Sequence, residues 1–169
     1  CLHYGQEVFE GLKAFRGADG KVRLFRVEEN AKRMINSGEY LKMAVPSVEL
    51  FTKACIEAVK LNADYIPPYG SGASLYLRPM LIGVGPQVGV KPSADYLFAV
   101  FVTPVGPYYK DGFNCIKVII DYDHDRAAPK GTGHVKVGGN YAASLDSGEI
   151  AHQKGFASVI FLDPATKQY

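Results

Sequence analysis

Charge of one sign is scarce in this sequence. Nineteen Lys and Arg stand against seventeen Asp and Glu, a formal net charge of +2 at pH 7. So small an imbalance leaves no electrostatic footprint for nucleic acid or for an anionic membrane as partner. Cysteine is equally sparse: Cys1, Cys55 and Cys115 are widely spaced, odd in number and form no C-x-x-C. That pattern predicts a reducing, cytoplasmic setting, with Cys55 as a buried free thiol. The four histidines, His3, His124, His134 and His152, never fall at i, i+4 spacing, so a zinc site has no support and no metal is expected. No apolar run reaches the roughly 18 residues of a transmembrane helix. Internal repeats and low-complexity segments are also missing.

Several loop chemistries fail at a named position. A phosphate loop needs Ser or Thr after its lysine, and Lys136 is followed by Val137. In a dinucleotide fingerprint counted from Gly131 the last glycine would be Lys136 itself. Asp121-Tyr122-Asp123-His124-Asp125 opens like a calcium loop, but its sixth position is Arg126 instead of Gly and its twelfth is Thr132 instead of Glu. No G-x-S-x-G elbow occurs, so a hydrolase serine is unsupported.

What remains is an ordinary globular composition, 47% hydrophobic and 21% charged over 169 residues. Leu12–Arg16 and Val22–Arg26 read as short strands joined by the hairpin signal Gly17-Ala18-Asp19-Gly20. Glu28 to Met43 reads as a helix with Ala31, Met34 and Ile35 on one side. A second helix follows Ser47, a candidate N-cap, and carries Phe51, Ala54, Cys55, Ala58 and Val59 as a core-facing stripe. Ser74–Ile82 and Tyr96–Thr103 are strand-like; the second is apolar enough to be placed in a sheet buried on both faces. Pro104 to Asn114, rich in Gly, Pro and Tyr, reads as a linker. Beyond it lie a strand at Lys117–Asp121, a helix at Asn140–Lys154 and a strand at Ala157–Leu162.

The segment Lys136-Val137-Gly138-Gly139-Asn140-Tyr141 sits behind the loop Arg126 to Val135. Glycines allow close backbone approach, and a tyrosine follows the lysine by five residues. Those are the needs of a lysine that bonds covalently to a carbonyl carbon. By itself the segment also fits a solvated lysine in a turn.

This segment closely resembles the active-site lysine motif of the branched-chain amino acid aminotransferases, pyridoxal-phosphate enzymes of fold type IV. Further blocks in the same order carry the resemblance along nearly the whole chain. They are His3-Tyr4-Gly5-Gln6-Glu7-Val8-Phe9-Glu10-Gly11-Leu12-Lys13-Ala14, then Leu24-Phe25-Arg26 through Asn30-Ala31-Lys32-Arg33-Met34, then Leu75-Tyr76-Leu77-Arg78-Pro79, then Pro104-Val105-Gly106-Pro107-Tyr108.

The resemblance implies an α/β fold: a small α+β domain over 1–107 with a mixed sheet and flanking helices, a linker over 108–114, and the first part of the large cofactor-binding domain over 115–169. It implies pyridoxal 5'-phosphate as cofactor, held by Lys136, Arg33 at its phosphate and Tyr141 at its phenolic oxygen, with Lys136 catalytic. On the substrate side it implies Phe9, Gly11, Tyr76 and Tyr108 as pocket walls and Arg78 at the distal carboxylate of glutamate. Tyr4 and Val90 match positions contributed by the second subunit of a homodimer. The implied reaction is transamination of leucine, isoleucine and valine with 2-oxoglutarate, giving branched 2-oxo acids and glutamate. A D-amino acid aminotransferase, an aminodeoxychorismate lyase or a non-catalytic relative is the alternative; the Phe9–Gly11 and Leu75–Pro79 blocks favour the branched-chain member. Because the family continues well past the position of Tyr169 and there supplies the carboxylate for the ring nitrogen, the chain is expected to be a fragment, inactive alone.

Overall fold

The structure, a computed structural model, describes residues 2–109, 112 and 114–168. The linker expected over 108–114 includes Lys110, Asp111 and Phe113, which lie outside the described residues. The chain divides into two compact units, Cys1–Gly112 and Phe113–Tyr169.

The first unit opens with a 3-10 turn at Leu2–Tyr4 and contains strands β1 (Glu7–Phe9), β2 (Leu12–Arg16), β3 (Val22–Leu24), β4 (Ser74–Val84) and β5 (Asp95–Val105), with helices α1 (Val27–Tyr40) and α2 (Val48–Leu61) between β3 and β4. The long strand β4 organises the sheet. β5 pairs along one edge of it for its full length. β2 and then β1 pair along the other edge, and the Glu10 amide between them donates to the Pro79 carbonyl at 2.7 Å, so one register runs through both. Every pairing in this sheet is antiparallel, which corrects the expected mixed sheet. The α/β class stands; the hairpin connection of β2 to β3 and the return of β5 beside β4 dictate the antiparallel order.

Strand alternation then sorts the side chains of β4 and its neighbours by face. Val8, Glu10, Leu12 and Ala14, with Leu75, Leu77, Pro79 and Leu81, are buried. With Ala31 and Met34 of α1 and Phe51, Cys55 and Val59 of α2 they form the core of this unit. Ser47 does cap α2: its hydroxyl accepts from the Leu50 amide at 3.2 Å. Helix α1 stops at Tyr40, before the expected Met43, because Lys42 takes a left-handed backbone (φ 58) that lets Met43 N–H return to the Gly38 carbonyl. The expectation that Tyr96–Val102 is buried on both faces is also corrected. Among the described residues β5 pairs only with β4 and exposes Leu97 and Phe101 by half, so its apolar sequence covers one side of an edge strand.

In the second unit β6 (Val118–Asp121) and β7 (Ser158–Phe161) run parallel, joined by a crossover that contains α3 (Gly138–Ala142) and α4 (Leu145–Gln153). The sequence pattern predicts a single helix from Asn140 to Lys154. The structure breaks it at Ala143 and Ser144, where the Ser144 hydroxyl donates to the Tyr141 carbonyl at 2.7 Å and competes with the helical ladder. No described helix is long and apolar enough to cross a membrane.

Candidate active site

In the second unit Lys136 lies between two buried residues, Val135 and Val137. Those valines anchor the backbone in the core, and alternation turns the lysine side chain the other way. Its amine donates to the Tyr141 hydroxyl at 2.5 Å and stands 4.8 Å from the centre of the Tyr141 ring. Tyr141 follows Lys136 by five positions in sequence; the first turn of α3 folds the tyrosine back onto the lysine.

Asn140 holds this turn, and sequence reasoning gave it no role. It is buried. Its Nδ2 donates to the carbonyls of Thr132 at 2.7 Å and Val135 at 2.8 Å, and its Oδ1 accepts from the Thr132 hydroxyl at 2.8 Å. A buried side-chain amide that satisfies two loop carbonyls and one hydroxyl fixes the approach to Lys136. In sequence the residue looks like any first-turn asparagine; its one signal is its place four residues after the lysine.

In the same unit, at the end of β6, Asp121 accepts from the amides of Asp123 (2.9 Å) and His124 (3.0 Å) and from the His124 ring. The Ser147 hydroxyl beside it, then these amides, hold its carboxyl down at about 2 against the opposing effect of burial.

In the first unit, Phe9, Gly11, Tyr76 and Arg78 come together on the face of the sheet opposite the core. The Arg78 guanidinium lies over the Phe9 ring at 4.6 Å and donates to the Tyr76 hydroxyl through Nε (3.2 Å) and Nη2 (2.8 Å). A Cβ built on Gly11 would collide with the Tyr76 hydroxyl, so this position has room for hydrogen alone. The result is a cation bracketed by two aromatic rings, able to pair with a carboxylate beside an apolar wall.

Arg33 reaches from α1 to Glu10, donating through Nε and Nη2 at 2.7 Å each. Tyr4 and Val90 meet at another place on this unit, around an open cleft of about 320 Å³ also lined by Tyr40, Lys42 and Pro92. The Tyr4 hydroxyl donates to the Val88 carbonyl, and Val90 is 83% exposed. Tyr108 stacks edge-on against Tyr109 with ring centres 4.9 Å apart and is 86% exposed. Among the described residues no three His, Cys, Asp or Glu side chains gather as a metal site would require.

The solved branched-chain amino acid aminotransferase from Escherichia coli matches 97% of this chain and 51% of its own, at a TM-score of 0.76 and 29% identity. A second solved structure, of a T.th. branched-chain amino acid aminotransferase with pyridoxamine 5'-phosphate, matches 97% of this chain and 52% of its own, at a TM-score of 0.77 and 29% identity. The branched-chain-amino-acid aminotransferase of Helicobacter pylori is 57% identical over 166 residues, across 98% of this chain and 49% of its own length. No family model matches. The chain is similar to the branched-chain-amino-acid aminotransferases over nearly its whole length, and it spans about half the length of the curated relatives it matches.

Proposed function

We propose that the full-length chain is a pyridoxal-phosphate-dependent transaminase of leucine, isoleucine and valine, with 2-oxoglutarate as the other partner. The observation that carries the reading is the Lys136 amine held against the Tyr141 hydroxyl by a turn that Asn140 clamps.

The donor set fits the cofactor. Lys136 offers the amine for its aldehyde, Tyr141 a hydroxyl for its phenolic oxygen, and Arg33 an anchored cation for its phosphate. When bound, the cofactor supplies an electron sink for the pair released as the substrate Cα–H bond breaks. Lys136 would hold the cofactor through its amine and, when that amine is free, would serve first as the base that takes the substrate Cα proton and then as the acid that returns a proton. Tyr141 keeps the lysine amine close to the reacting carbon. Arg78 pairs with the distal carboxylate of glutamate, while Phe9 and Tyr76 exclude water around a branched aliphatic side chain. The reaction then runs in two halves, with ping-pong kinetics.

We further propose a homodimer in the cytoplasm, in which the Tyr4–Val90 cleft is completed against the second copy. The exposure of both residues on one surface supports this reading. The domain division at 108–114 and the role of Tyr108 as a pocket wall belong to the same proposal.

The test uses the full-length chain loaded with pyridoxal phosphate. It should develop a yellow absorption band, and borohydride followed by peptide mapping should find the label on Lys136; a label on another lysine sinks the assignment. Leucine with 2-oxoglutarate should then react at least tenfold faster than D-alanine, a separation of about 1.4 kcal/mol. The reverse preference would transfer the protein to the D-amino acid enzymes.

A further inference from the structure

Among the described residues, Glu10 is the buried carboxylate that the proposed chemistry leaves unused. It stands in the link between β1 and β2 and points to the core face, where α1 lies above it. Its oxygens accept from Arg33 Nε and Nη2 at 2.7 Å each, from Asn30 Nδ2 at 2.8 Å and from the Gly11 amide at 3.3 Å. These donors offset the cost of taking a carboxylate out of water. They do not explain why a charge is there at all, since a buried ion pair is often no more stable than apolar residues of the same volume.

Direction is what the pair supplies. A guanidinium is planar, and two parallel N–H···O bonds from one edge fix its plane and its position together. Arg33 is held this way from its buried side, yet its side chain stays 54% exposed. We infer that Glu10, steadied by Asn30, is a positioning residue that aims the Arg33 guanidinium at the phosphate monoester of the cofactor. The inference rests on the reading of Arg33 given under the proposed function.

Two effects of Glu10 have opposite signs, which makes the inference decidable. Its negative charge repels a phosphate, so charge alone predicts that Glu10→Gln tightens binding. Its anchoring removes the freedom that a loose arginine would lose on binding, so positioning predicts that Glu10→Gln weakens it. A glutamine also turns one acceptor into an N–H donor, which then faces the donors of Arg33 or Asn30.

The experiment compares pyridoxal phosphate with pyridoxal, which lacks the phosphate, by absorbance titration of the cofactor-free full-length chain. Arg33→Gln should cut the preference for the phosphorylated form by about tenfold or more. If it leaves that preference unchanged, the phosphate role of Arg33 falls and the inference falls with it. If Arg33→Gln does cut it, Glu10→Gln should cut it about five- to tenfold while the Kd for pyridoxal stays within about twofold of the parent. A preference that stays constant or rises in Glu10→Gln overturns the role of Glu10 alone. Should that variant fail to fold, Asn30→Ala decides: it removes one donor from the carboxylate, leaves both charges, and should lower the preference about two- to threefold. No change in Asn30→Ala would then overturn the inference.

Discussion

At Gly11 an added Cβ would run into the Tyr76 hydroxyl, and through it disturb Arg78, whose Nε and Nη2 donate to that oxygen. Gly11→Ala should therefore leave the core intact, because the clash lies on the face away from it. It should raise the KM for glutamate about tenfold or more, with a smaller effect on kcat, as steady-state kinetics on the full-length chain would show. An unchanged KM would mean that the Phe9–Arg78 cluster does not receive the substrate. Phe9, Gly11, Tyr76 and Arg78 were all legible in the sequence, since each falls inside a contiguous family block. Their common face was not legible, because it depends on the pairing register between residues more than sixty positions apart.

Among the elements, the short α3 and the turn before it depend on one side chain. Asn140→Ala removes three hydrogen bonds and strands the part-buried Thr132 carbonyl and the buried Val135 carbonyl. It should destabilise the second unit by about 2–4 kcal/mol, read as a lowered thermal midpoint, and should diminish borohydride-trapped cofactor at Lys136. Lys136 and Tyr141 were readable from a motif, whereas Asn140 was not, since its partners are set by how the loop closes. Asp121, at the end of β6, brings a pH dependence. Its folded pKa of about 2 lies below the unfolded value near 3.9, so its contribution is fully present above about pH 4 and is lost as pH falls through about 2. Thermal melts between pH 6 and pH 2 should show a steeper acid loss in the parent than in Asp121→Asn. Parallel curves would remove Asp121 as a stabilising group.

On the scale of the whole molecule, Cys55 and Cys115 report on different units. Cys55 is buried in the core of the first, where burial and then the nearby Glu10 charge push its thiol up to about 12. Cys115 belongs to the second unit and is exposed. Iodoacetamide at pH 8 should modify Cys115 readily and Cys55 only as denaturant unfolds the first unit, followed by mass spectrometry of the peptides. The raised pKa means that the folded state keeps the Cys55 proton. The associated stability is complete below the unfolded value of about 8.5 and is lost as pH rises toward 12. Prompt labelling of Cys55 in the native protein would contradict the core assignment.

Local chemistry alone determined much of this protein. The stripe on α2, its Ser47 cap, the Gly17–Gly20 hairpin and the lysine motif all follow from preferences acting within a few residues, and such preferences survive in a linear reading. The tertiary structure decided the antiparallel order around β4, the one-sided burial of β5, the break between α3 and α4, and the contacts of Glu10 and Asn140. Each of these depends on which distant backbone or side chain arrives opposite a given residue. Register and packing fix that choice, and local sequence preference leaves it open.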